Sequence, residues 1–286
     1  MSQRLIICTD LDRTLIPNGP QPESPQARGR FAQLCASEPV LLAYVSGRDQ
    51  GLVKQAIADF SLPRPDYVIG DVGTTLYHIG EQGAWDRQTQ WEAAIAQDWN
   101  GKSHEDLKQL FADIQILRLQ EDAKQNRFKL SYYLPPDEES QPLLQEMQRR
   151  LQKLGVAASL IWSVDETTDT GLLDVLPEGA TKYHAVDFLR QSLGYGLDEM
   201  LFSGDSGNDM EVLTSPIPAV LVANAQPDVR RQAERLANEK GNGDTLYMAR
   251  GGFMEMNGNY SAGILEGAAH YHPSLISRIL NSTDHP

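Results

Sequence analysis

Short apolar runs alternating with helix-period segments dominate the first eighty residues. Ile6-Ile7-Cys8, Val40-Leu41-Leu42-Ala43-Tyr44-Val45 and Tyr67-Val68-Ile69-Gly70 each suit a strand buried on both faces, as in a parallel sheet. Between them, 27–36 reads as an amphipathic helix, and Leu52, Val53, Ala56 and Ile57 mark a second. Residues 71–78 continue extended through a glycine-relieved bend.

The pattern then changes. Trp91, Ile95 and Trp99 form a helical stripe, 105–114 a second helix, and 138–154 a third. Residues 128–134 alternate with period two, as does 156–164, which predicts an antiparallel sheet with one covered face. Buried-strand units return at 172–177, 199–203 and 219–222, with helices at 182–193, 228–236 and 261–270 and a short edge strand at 246–248. The expected fold is therefore α/β: a doubly wound, mostly parallel Rossmann-like core sheet from 1–80 and 177–286, with an α+β lobe inserted at 81–176.

Composition narrows the partners. A chain of 286 residues with 41% hydrophobic and 22% charged residues is ordinary for a globular protein, and its net charge of -14 argues against binding nucleic acid or lipid surfaces. With only Cys8 and Cys35, no leader pattern and no run of about 20 apolar residues, the expectation is a reduced, cytoplasmic protein.

Polar groups collect where the buried strands end, the edge at which open α/β sheets bind ligands. The first strand runs into Asp10 and Asp12, the second into Ser46-Gly47-Arg48, and the strand at 199–203 into Gly204-Asp205-Ser206-Gly207-Asn208-Asp209. Ser46 and the glycine after it suit a phosphate at a helix N-terminus, although Ser-Gly alone is an ordinary helix cap. Lys182 stands in the first turn of its helix, where a cation opposes the helix dipole unless an anion lies nearby. Together these outline phosphoryl transfer. A carboxylate needs no base to attack phosphorus, but it repels a phosphate dianion unless cations intervene. Lys182 would supply one charge, and Mg²⁺ on oxygen ligands from Asp10, Asp205 and Asp209 the other. Asp12 is left for proton transfer.

The four segments, in this order, resemble the haloacid dehalogenase-like phosphatases. The resemblance implies that Asp10 is the nucleophile and Asp12 the general acid/base. It puts Thr14, Ser46, Gly47, Lys182 and Asn208 on the phosphate, and Asp10, the Asp12 carbonyl, Asp205 and Asp209 on Mg²⁺. Arg13 departs from the Gly or Asn common in the family at that place. An insertion between the second and third motifs implies the α+β cap class. Residues 67–77, 128–132, 173–177 and the closing Tyr260-Ser261-Ala262-Gly263-Ile264-Leu265-Glu266-Gly267-Ala268-Ala269-His270-Tyr271 are similar to sucrose-phosphate phosphatases.

That likeness implies a sugar phosphate, with sucrose-6-phosphate first and mannosylfructose-phosphate or another glycoside phosphate as alternatives. Candidate substrate groups are Arg48, Thr74, Lys129, Tyr132, Glu166 and Asp174, with Asp165 beside them. Thr75 replaces an acidic residue commoner in that family, and 165–171 departs from its shorter loop. A phosphomutase and a non-catalytic sugar-phosphate-binding module are the competing classes. A monomer and association with an upstream sugar-phosphate synthase are further expected, and closure of the cap on the core is expected because a site split between them must exclude water and then release product.

Overall fold

The computed structural model describes residues 4–135, 140–165 and 170–280. Its contacts divide the chain into two compact units, Met1–Arg87 with Lys182–Pro286, and Gln88–Thr181.

The first unit is built on strands β1 (Leu5–Thr9), β2 (Val40–Val45), β3 (Tyr67–Gly70), β4 (Thr75–Ile79) and β5 (Trp85–Arg87), and later β10 (Met200–Gly204), β11 (Ala219–Leu221) and β12 (Leu246–Met248). They form one sheet in the order β12-β11-β10-β1-β2-β3-β4-β5, parallel from β12 to β3, with β4 and β5 added antiparallel. Helices α1 (Ala27–Cys35) and α2 (Gln50–Asp59) follow β1 and β2, and α6 (Lys182–Ser192), α7 (Met210–Leu213), α8 (Pro227–Glu239), α9 (Ser261–Tyr271) and α10 (Pro273–Leu280) belong to the second half.

Strand β1 is fully buried. Leu5 and Ile7 share a core cluster with Phe31 of α1, Ile264 and Leu265 of α9 and Ile276 of α10, whereas Ile6 and Cys8 are just as buried outside that cluster. Successive side chains point to opposite faces, so both faces of the sheet are covered, as the unbroken apolar run required. Helix α9 lies unusually close to β11, because a Cβ on Gly267 would stand 2.5 Å from the Cβ of Val220. This close approach gives part of the glycine-containing closing segment a packing reason.

The second unit holds α3 (Thr89–Ala96), α4 (His104–Leu110) and α5 (Ser140–Lys153) with strands β6 (Arg118–Leu119), β7 (Leu130–Leu134), β8 (Ala158–Asp165) and β9 (Thr170–Pro177). The sheet order is β6-β7-β9-β8, antiparallel throughout. Trp91, Ile95 and Trp99 are buried, and Ser103 starts α4 with a capping box to Asp106.

The divisions between units fall at 87/88 and 181/182 rather than at 80/81 and 176/177. Three residues, Trp85–Arg87, extend the core sheet by pairing with β4, and a strand so short carries little periodic signal. At the other end β9 belongs wholly to the second sheet and the chain crosses back only at Lys182. Strand β6 and helix α10 lie beyond the expected elements. Among the described residues no helix is long and apolar enough to cross a membrane.

Candidate active site

Asp10 follows β1 directly, its amide bonded to the Ser203 carbonyl of β10 at 2.9 Å. The chain goes from β1 to β2 on one side, and β10 later pairs on the other, so Asp10 stands where the strand order reverses. Beyond it the Leu11 carbonyl accepts the amides of Thr14, Leu15 and Ile16, a tight turn that brings Thr14 Oγ1 to 3.2 Å from Asp205 Oδ1.

Lys182 opens α6 and is buried with its charge matched. Its Nζ donates to Asp10 Oδ1 at 2.8 Å, Asp209 Oδ1 at 2.7 Å and Asn208 Oδ1 at 3.3 Å. Asp209 Oδ2 turns back to accept the amides of Asp205 and Ser206, so that residue braces its own loop. Gly204 is required beside it, since a Cβ there would meet the Asp209 carboxyl carbon at 2.6 Å. The adverse position of a lysine at a helix start is thus answered by two carboxylates.

One ligand atom from each of Asp10, Asp205 and Asp209 lies within 4.8 Å of the others, all three residues being buried. Burial pushes the Asp10 carboxyl up to about 7 despite Lys182, and burial with the charge of Asp209 raises Asp205 to about 6. Burial works against the charge of Lys182, but Asp10 and Asp209 outweigh it and hold the ammonium above its ordinary range. A crowded all-oxygen cluster short of positive charge fits a hard divalent cation such as Mg²⁺.

Asp12 lives in different surroundings. Arg48 grips it at 2.8 Å (Nε to Oδ2) and 2.6 Å (Nη2 to Oδ1), and Asn18 Nδ2 adds a third bond at 2.8 Å. Burial alone would raise its carboxyl, but Arg48 and Asn18 outweigh that and hold it below the ordinary range. Arg48 in turn stands on the turn after β2, where Ser46 Oγ accepts its amide.

These groups open onto a cavity of about 370 Å³ lined among others by Asp10, Asp12, Arg13, Ser46, Arg48 and Asp205. Gly47 and Asn208 also line it. The sequence-selected residues of the first unit therefore converge, with two qualifications. Arg48, expected on substrate, is committed to Asp12, and Thr74 is buried with its hydroxyl on the Asp71 carbonyl.

In the second unit Ser131 donates to Asp174, and Lys129 Nζ stands 4.0 Å from the same carboxylate. Tyr132 does not share that face. It pairs across the sheet with the fully buried Leu173, while Ser131 pairs with Asp174, and successive strand residues alternate sides. Glu166 lies outside the described residues.

Around the first strand end sequence reasoning missed Asn18 and Asn224, and it noted Arg13 only as a departure from the family without assigning it a contact. Asn18 joins Asp12 to the Arg13 amide, Asn224 Nδ2 donates to the Arg13 carbonyl at 2.6 Å, and the Arg13 guanidinium approaches Asp205. Both asparagines sit in stretches that read as turns, and only the strand ends they bridge gives them a role.

The family model and the curated relatives make the chain a haloacid dehalogenase-like phosphatase, a phosphoric monoester hydrolase, in keeping with its fold and carboxylate cluster. The family model described as Sucrose-6F-phosphate phosphohydrolase matches residues 3–272, and the chain belongs to that family. A putative HAD-like hydrolase of Nitrosococcus oceani is 52% identical over 96% of this chain and 73% of its own length. Sucrose-phosphatase 1 of Nicotiana tabacum is 29% identical over 94% of this chain, which spans only 59% of that relative. Mannosylfructose-phosphate phosphatase of Agrobacterium fabrum is also 29% identical, over 78% of this chain and 85% of its own. The sucrose-phosphatase of Synechocystis, solved with sucrose and phosphate, superposes with a TM-score of 0.70 at 24% identity, covering 94% of this chain and 98% of that one, a likeness of fold.

Proposed function

We propose that this chain removes phosphate from a glycoside phosphate, sucrose-6-phosphate first, through an aspartyl-phosphate on Asp10. The observation that carries the reading is the unlike pair Asp10 and Asp12: one buried on Lys182, the other held by Arg48 at the mouth of the same cavity. Asp10 attacks phosphorus and the bond to the sugar oxygen breaks. Asp12 gives that oxygen a proton, then takes one from the water that attacks the aspartyl-phosphate, releasing phosphate and restoring Asp10. Lys182 supports the Asp10 carboxylate, and Ser46, Gly47, Thr14 and Asn208 supply donors toward phosphate oxygens. Mg²⁺ held by Asp10, Asp205, Asp209 and the Asp12 carbonyl would offset the charge between carboxylate and phosphate.

The second unit is proposed to read the sugar through Lys129, Asp174 and Ser131, with Glu166 and, from the first unit, Arg48 and Thr74 retained as candidates. Mannosylfructose-phosphate is the second reading, favoured by a relative as similar as the tobacco sucrose-phosphatase. The test is phosphate release with Mg²⁺ from sucrose-6-phosphate, mannosylfructose-phosphate and hexose monophosphates. Release from one phosphodisaccharide above all others is expected. Isomer production from a hexose phosphate, with no release, would replace this reading with a mutase.

A further inference from the structure

The guanidinium of Arg13 is placed against a metal-site carboxylate without being properly bonded to it. Its Nε lies 3.6 Å from Asp205 Oδ2, an ion pair but too long for a hydrogen bond. Nε and Nη2 are both buried and bonded to nothing among the described residues, a costly state for a charged donor. The position is nonetheless built. Arg13 has φ 60, its amide donates to Asn18 Oδ1 at 2.8 Å, and its carbonyl accepts Asn224 Nδ2 at 2.6 Å. Asn224 is itself fixed by the Tyr260 amide at 2.9 Å. A left-handed backbone pinned from both sides aims a long side chain at Asp205 and along the wall of the cavity.

We propose that Arg13 is an internal counter-cation for Asp205, exchanged for the divalent cation when that loads, and that the released guanidinium then pairs with the phosphate group in the cavity. The inference rests on the metal site of the proposed function. Three carboxylates there share Lys182 and this one imperfectly seated guanidinium. A divalent cation on Asp205 removes the reason for Arg13 to stay. Its unpaired donors suit a tetrahedral anion, for which a guanidinium fork is well shaped. Arg13 thereby couples cation loading to anion binding.

The test is calorimetric titration of the full chain with Mg²⁺ alone, then with inorganic phosphate in the presence of Mg²⁺, for the parent, Arg13→Asn and Arg13→Gly. Both replacements accept a positive φ, so the turn is retained. Mg²⁺ is expected to bind about tenfold tighter to both variants, since a competing charge near Asp205 is gone. Phosphate in the presence of Mg²⁺ is expected to bind about tenfold more weakly. Equal Mg²⁺ affinity in all three proteins, or tighter Mg²⁺ with unchanged phosphate binding, would overturn the exchange. A parent and variants that all fail to bind Mg²⁺ would overturn the metal site itself and the inference with it.

Discussion

Arg48 takes both carboxylate oxygens of Asp12, while Asp10, two residues earlier, is bonded instead to Lys182. The two carboxyls accordingly move in opposite directions, Asp10 up to about 7 and Asp12 below its ordinary range. The surroundings set the two carboxyls apart, but in the direction opposite to an ionised nucleophile beside a protonated acid, so the proposed division needs a cation on Asp10 to bring its carboxyl back down.

Removing the cation from Asp12 is the first test of that division. In Arg48→Gln burial is no longer outweighed, so the Asp12 carboxyl rises, and the alkaline limb of kcat/KM moves to higher pH. The rate is expected to fall roughly 10²-fold as the proton carrier loses its orientation. Arg48→Lys keeps the charge and should hold the limb near its original pH. A pH–rate profile of the three proteins decides, and an unmoved limb in Arg48→Gln would separate Arg48 from the ionisation of Asp12.

Stability without metal should depend on pH in an unusual direction. Asp10 and Asp205 have folded pKa values raised to about 7 and about 6, above the ordinary 3.8. The folded state therefore holds protons that the unfolded chain releases, and stability falls as pH rises from about 4 through 7. Mg²⁺ should cancel most of the loss by binding the ionised form. Thermal melts in EDTA and in Mg²⁺ across pH 5–8 measure this, and parallel curves would contradict the crowding of charge at these carboxylates.

The same crowding predicts a paradox for Asp10→Asn. Turnover is lost, because the amide cannot form the acyl phosphate. Yet at pH 8 without metal the variant should melt on the order of 5 °C higher than the parent, since a neutral isostere removes a destabilised charge. Lys182→Met should act oppositely, costing about 3–5 kcal/mol by leaving Asp10 and Asp209 buried without their partner. Denaturant titration compares the two, and equal losses would mean that Asp10 and Lys182 support each other more than the carboxylates repel.

Much of this geometry could be read from the chain because a parallel sheet gathers the ends of distant strands at one edge. Asp10, Ser46 and Asp205 needed only strand assignment, and Lys182 was flagged by its adverse place at a helix start. Arg48 was found but its partner was not, since the pairing with Asp12 depends on how two loops lean together. Arg13, Asn18 and Asn224 were illegible as a group: each lies in a turn, and their link arises only when β1 and the loop after β11 become neighbours. In the second unit the period-two pattern was visible, but its phase relative to substrate was not, and Tyr132 was put with Asp174 although alternation separates them.

That separation gives the last prediction. Asp174 shares its face with Ser131 and lies near Lys129, whereas Tyr132 pairs with Leu173 on the buried side, its hydroxyl raised to about 12 first by burial and then by Glu105 of α4. If the sugar is read by the first face, Asp174→Asn should raise KM for the phosphodisaccharide about 10-fold with kcat less affected, because a lost hydrogen bond to a charged group is worth roughly 1.5–3 kcal/mol. Inorganic phosphate, which has no sugar, should inhibit both proteins equally. Tyr132→Phe should leave KM unchanged and alter only stability, within about 1 kcal/mol. A KM that rises in Tyr132→Phe and stays fixed in Asp174→Asn would assign sugar reading to the opposite face of this sheet.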